Sequence, residues 1–111
     1  MDEEFDRYYP LYLKALAKEK NGNTEGALRG YIYILQEYLP AGMSYYVRPA
    51  VILERKGNYV LAIEICNQAI KVTNSRLPVN FDKEELTHRV DRLKKKLTFP
   101  LRISTTFDVS Q

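Results

Sequence analysis

Two stretches of this chain carry the same phrase 35 residues apart. Gly22-Asn23 is followed by Ala27-Leu28, Tyr31 and Ile34, and Gly57-Asn58 by Ala62-Ile63, Cys66 and Ala69. The apolar positions step by three and four residues, which places them on one face of a helix. The Gly-Asn pair ahead of each set reads as a helix stop followed by a new start. A helical unit of this length cannot bury its apolar face alone, so its repeats must stack.

Around these landmarks the pattern predicts five helices. Phe5, Tyr9, Tyr12, Leu13 and Leu16 form the stripe of the first, with Asp6 as its cap, Pro10 in its opening turn and a basic last turn before Gly22. Thr24 is read as the cap of the second, whose stripe is Ala27, Leu28, Tyr31, Ile34 or Leu35, and Tyr38; Leu39-Pro40-Ala41-Gly42 ends it. Ser44 is read as the cap of the third, with Tyr46, Ala50 and Leu53 inward and a late start or bend at Arg48-Pro49. The fourth carries Ala62, Ile63, Cys66, Ala69 and Ile70, and a loop over 74–80 holds Pro78.

The fifth helix has the clearest local grammar. Asp82 with Glu85 three residues on gives capping-box spacing, and Phe81 can staple onto Leu86. Leu86, Val90, Leu93 and Leu97 then repeat as a packing seam. Pro100 is read as its stop. Beyond it Leu101, Ile103, Thr105, Phe107 and Val109 alternate with more polar residues, as in a strand, a docking segment or a flexible tail.

Helix pairs of about 35 residues, with a Gly-Asn turn and small residues at the crossings, resemble the tetratricopeptide repeat. The resemblance covers residues 8 to 75. It implies an all-α fold of antiparallel helical hairpins stacked as a short array of about five helices, with an extended C-terminal tail. Repeat one spans about 8–41, repeat two about 43–75 and a capping helix about 82–98, in a single domain 1–98 followed by an extended or flexible tail 99–111. Pro49 stands where the family has Leu. Counting back from Gly22 puts Lys14 and Lys18 at apolar positions; a two-residue shift brings Tyr9, Tyr12, Leu13 and Leu16 there instead.

The same resemblance implies a groove, lined by the first helix of each repeat, that binds a peptide or partner helix. Its residues would be Tyr9, Tyr12, Leu16, Glu19 and Lys20, then Val47, Val51, Glu54 and Arg55. Tyr12 and Leu16 occupy the places where the family's clamp for C-terminal carboxylates needs Lys and Asn, which disfavours a chaperone-tail adaptor. The shifted register makes Tyr9, Tyr12 and Leu16 core instead. Tyr45 and Tyr46 diverge by about 100° on a helix and are not both expected inside. Tyr46 fits the core, leaving Tyr45 as the contact residue.

Arg89, Arg92, Lys94, Lys95 and Lys96 make the fifth helix a basic surface, and a nucleic-acid or nucleoprotein accessory protein is the alternative reading. No aromatic residue is interleaved with those bases between 82 and 98, as RNA recognition would want. The plainer reading is a solvated face, with Arg92 and Lys95 in water and Arg89 and Lys96 flanking the seam.

The remaining composition mostly excludes. Net charge is only +3, although residues 2–6 hold four acids and tyrosine is enriched at nine. No apolar run has membrane-helix length, and the acidic start is no secretory signal. A single cysteine excludes an internal disulfide and fits the cytoplasm. Cys66 lies on a buried stripe, His88 lacks a second ligand at metal spacing, and there is no phosphate loop or catalytic set. A non-enzymatic interaction module without cofactor is therefore expected. Two repeats fall short of the roughly three that usually close a core. That shortfall predicts a homodimer, through the fifth-helix seam or a tyrosine-rich face.

Overall fold

The computed structural model describes residues 4–75 and 82–110, the side chains of Ser75 and of residues beyond Leu97 excepted. These residues form five helices and no strand: α1 (Phe5–Lys20), α2 (Thr24–Glu37), α3 (Ser44–Arg55), α4 (Tyr59–Ser75) and α5 (Lys83–Ser110). Each packs chiefly on its neighbour in sequence, giving the hairpins α1–α2 and α3–α4 with α5 laid on α4.

The two Gly-Asn turns make the same hydrogen bonds. Gly22 (φ +87°) and Gly57 (φ +81°) take the left-handed conformation that a Cβ would disfavour. The Asn23 N–H then donates to the Lys18 carbonyl at 2.8 Å and the Asn58 N–H to the Leu53 carbonyl at 2.9 Å, satisfying a helix C-terminus. Each Asn side chain starts the next helix. Asn23 Oδ1 accepts from the Gly26 N–H at 2.9 Å, and Asn58 Oδ1 from the Leu61 N–H at 3.3 Å. The cap of α2 is therefore Asn23 and not Thr24, because the residue after the left-handed glycine is the one that leaves helical geometry.

Small residues set the crossings. Ala27 and Ala62 are fully buried, and Ala15 and Ala50 hold matching buried places on α1 and α3. A Cβ on Gly30 would stand 3.0 Å from the Ala15 Cβ, so α1 and α2 approach almost backbone to backbone. This contact fixes the register of α1 as the count back from Gly22 gives it, and the two-residue shift does not occur. Tyr8, buried, fills the space beyond, with ring centroids 5.7 Å from Tyr38 and 5.1 Å from Tyr45. Tyr9 and Leu13, expected on the buried stripe, are 39% and 45% exposed, while Tyr12 and Leu16 are half-buried.

Two other expected caps are not used. Glu4 precedes α1 and Met43 precedes α3, neither with a side-chain cap, so Asp6 and Ser44 are not caps. Both helices open through a turn whose carbonyls already accept: Glu4 from Arg7 and Tyr8, Met43 from Tyr46 and Val47. Pro49 causes no late start, since α3 runs unbroken from Ser44. Proline removes one donor, and here its buried ring adds apolar packing in return.

The α5 reading holds through its seam. Asp82 Oδ1 accepts from the Glu85 N–H at 3.0 Å, Leu86, Val90 and Leu93 are buried, and Leu97 is half-buried. The helix continues past Pro100 to Ser110, in place of a stop followed by an extended tail. A helix can pass a proline at the loss of one hydrogen bond. Phe81 and residues 76–80 of the loop lie outside the described residues.

Candidate functional site

The polar chemistry of the fold gathers at two carboxylates, Glu19 and Glu54, which are 35 residues apart and so occupy the same place in the repeat. Glu19 lies in the last turn of α1, where a side chain can reach both α2 and α3. Its Oε1 accepts from the Tyr31 hydroxyl of α2 at 2.7 Å and from Arg48 Nε of α3 at 3.2 Å, and its Oε2 takes a second bond from Arg48 Nη2. One carboxylate thus ties three helices. Burial pushes the Glu19 carboxyl up, but the hydrogen bonds from Arg48 and Tyr31 and the fields of Arg48 and Arg55 outweigh it and hold it below the usual range. Burial and the neighbouring Glu19 push the Tyr31 hydroxyl well above the ordinary tyrosine value. Replacing Tyr31 by Phe is expected to lower stability by about 1 kcal/mol, the worth of one such bond, in urea unfolding.

Glu54 does the same between α3 and α5. Its Oε1 accepts from Arg92 Nη2 at 2.8 Å and its Oε2 from Lys96 Nζ at 2.8 Å, with Arg89 Nη1 at 3.6 Å. Lys96 also stands 5.6 Å over the Tyr59 ring. Burial raises the Glu54 carboxyl, and Lys96, Arg92 and Arg89 more than reverse it. The Nε of Arg89 is buried without a partner. The basic run of α5 is thus not simply a solvated face. Arg89, Arg92 and Lys96 are drawn onto Glu54, while Lys94 and Lys95 are exposed. The matching positions of Glu19 and Glu54 were the signal that could have found this.

Beside Glu19 lies a run of rings. Phe5 stacks on Tyr9 at 4.8 Å, Tyr9 on Tyr12 at 6.5 Å, and Tyr12 meets Tyr45 at 4.6 Å and Tyr31 at 5.7 Å. The run leads from solvent to the interior. Tyr45, expected as a contact residue, is instead buried under Tyr8 and Tyr12. Both Tyr45 and Tyr46 are core because α3 packs on more than one side; Tyr46 is fully buried and donates its hydroxyl to the Pro40 carbonyl at 2.8 Å. Of the other expected groove residues, Val47 and Val51 are half-buried, and Lys20 and Arg55 are exposed.

Cys66 is buried, and burial pushes its thiol up, away from the reactive thiolate. His88 is exposed on an open groove of about 390 Å³ along α5, with Glu85, Arg89, Asp91, Arg92 and Lys95. Among the described residues no three His, Cys, Asp or Glu side chains are grouped to hold a metal ion, and no helix is long and apolar enough to cross a membrane. Compared with protein-family models, curated proteins and solved structures, the chain gives no match.

Proposed function

We propose that this chain is a non-enzymatic binding module, an adaptor of the cytoplasm, whose face along α1 and α3 takes a peptide or partner helix bearing apolar and acidic side chains. The observation that carries the reading is a local surplus of cations. Arg48, Arg55, Arg89, Arg92 and Lys96 outnumber the carboxylates set against them, Glu19, Glu54 and Glu85. Each carboxylate is satisfied, so the remaining positive charge is directed outward, next to the half-buried Tyr12, Leu16, Val47 and Val51. Such a surface steers an acidic partner electrostatically while its apolar residues supply the contact. A nucleic-acid partner is less well supported, because three of the α5 cations are already engaged by Glu54.

The test is a titration with two labelled amphipathic helical peptides that share an apolar stripe, one Glu-rich and one Lys-rich on the polar face. The Glu-rich peptide is expected to bind, to weaken as salt rises, and to lose about tenfold in affinity to the Arg55→Glu chain. Equal affinity for both peptides, or no loss on Arg55→Glu, overturns the reading.

A further inference from the structure

We infer that two molecules of this chain associate through the outer edge of α1, antiparallel about a two-fold axis at Leu13. Phe5, Tyr9 and Leu13 recur every four residues on α1 and are 40%, 39% and 45% exposed, a continuous apolar ridge that runs on to the exposed Ala17. The helix has its main packing against α2 alone. The other surface that could pair, the α5 seam, is not available, since Leu86, Val90 and Leu93 are buried in the chain's own core.

What selects a second molecule over another partner is that the ridge is complementary to itself. It carries an acid, Asp6, in the first turn and a base, Lys20, in the last, both exposed, with apolar residues between. Turned end for end about Leu13, Asp6 faces Lys20 of the second molecule, and the Tyr9 ring lies against the small Ala17. Leu13 meets its own symmetry mate. Both charge pairs form at once, bulky residues face small ones, and the two helix dipoles oppose favourably. A parallel arrangement would set Asp6 on Asp6 and Lys20 on Lys20. The interface does not use the α3 side of the peptide-binding face, Val47, Val51 and Arg55, so each proposal has its own test and either can fail alone.

Sedimentation velocity of the full chain is expected to give twice the 13.0 kDa chain mass at about 100 µM. Leu13→Asp places a carboxylate against its own mate and is expected to weaken the dimer at least about a hundredfold. Asp6→Lys weakens it by about tenfold, and adding Lys20→Asp restores it. As a check that needs no destabilising change, Leu13→Cys is expected to cross-link two chains on mild oxidation while Lys14→Cys does not. A one-chain mass at that concentration, a dimer untouched by Leu13→Asp, or failure of the paired swap to restore association would overturn the inference.

Discussion

Replacing Tyr46 by Ala is expected to remove about 4 kcal/mol of stability, the usual toll for deleting a fully enclosed aromatic side chain. Tyr46 has no exposed surface, and its hydroxyl donates to the Pro40 carbonyl at 2.8 Å. The ring fills the space between α3 and the α2–α3 connection, and the hydrogen bond holds that connection against α3. Small domains have only about 5–15 kcal/mol in total, so the melting midpoint is expected to fall on the order of 20 °C. Tyr46→Phe separates the two contributions. It keeps the volume and strands a buried carbonyl, and is expected to lose about 1–2 kcal/mol in urea unfolding. If Tyr46→Phe proved as damaging as Tyr46→Ala, the ring's packing would not be the main term.

The second large effect is at Glu54. Its side chain is 18% exposed and neutralises Arg92 and Lys96 at 2.8 Å, with Arg89 slightly farther away. Glu54→Gln leaves three neighbouring cations of α5 set against α3 without the carboxylate they share. We expect a loss of about 2–3 kcal/mol near neutral pH, less than for a fully buried pair because water reaches part of the cluster. The pH dependence has a definite sign. The folded-state carboxyl lies below its ordinary value, so its stabilisation is complete above about pH 5 and is lost as pH falls through the ordinary range and then through the folded value. Urea midpoints of the parent and Glu54→Gln chains should therefore converge on acidification. A gap that stayed constant down to about pH 3 would show that the charge is not the cause.

The sequence shows the hairpins because its strongest signals are local. A glycine that must be left-handed, an Asn that caps the next turn and alanines at crossings each act within a few residues, and the α5 capping box is as local. The α1 register was less legible. Counting apolar residues favoured Tyr9 and Leu13, whereas Ala15 against Gly30 decides the approach of the helices, and an Ala gives little weight to any hydrophobic count. Tyr45 was misjudged for a related reason. Adjacent residues diverge on a helix, but a helix packed on more than one side buries both. The two carboxylate ties were hidden because their partners lie 12 to 42 residues away on other helices, beyond what spacing within one helix can reveal. Pro49 lies within a helix that continues, because proline's penalty is set against burial of its ring that the local sequence does not display, and α5 likewise runs on past Pro100.

The packing of each helix mainly on its sequence neighbours carries a kinetic consequence. A chain whose contacts are mostly short-range closes only small loops on its way to the native state, so its folding barrier is low and structure can spread from whichever hairpin forms first. The same linear arrangement makes opening directional. Of the residues in α1 only Tyr8 and Ala15 are fully enclosed, so the N-terminal helix can detach while leaving the α3–α4 hairpin intact behind it. Glu19, with Tyr31 and Arg48 as its anchors, is then the latch against that fraying, and whatever settles on the α1 edge slows unfolding from that end.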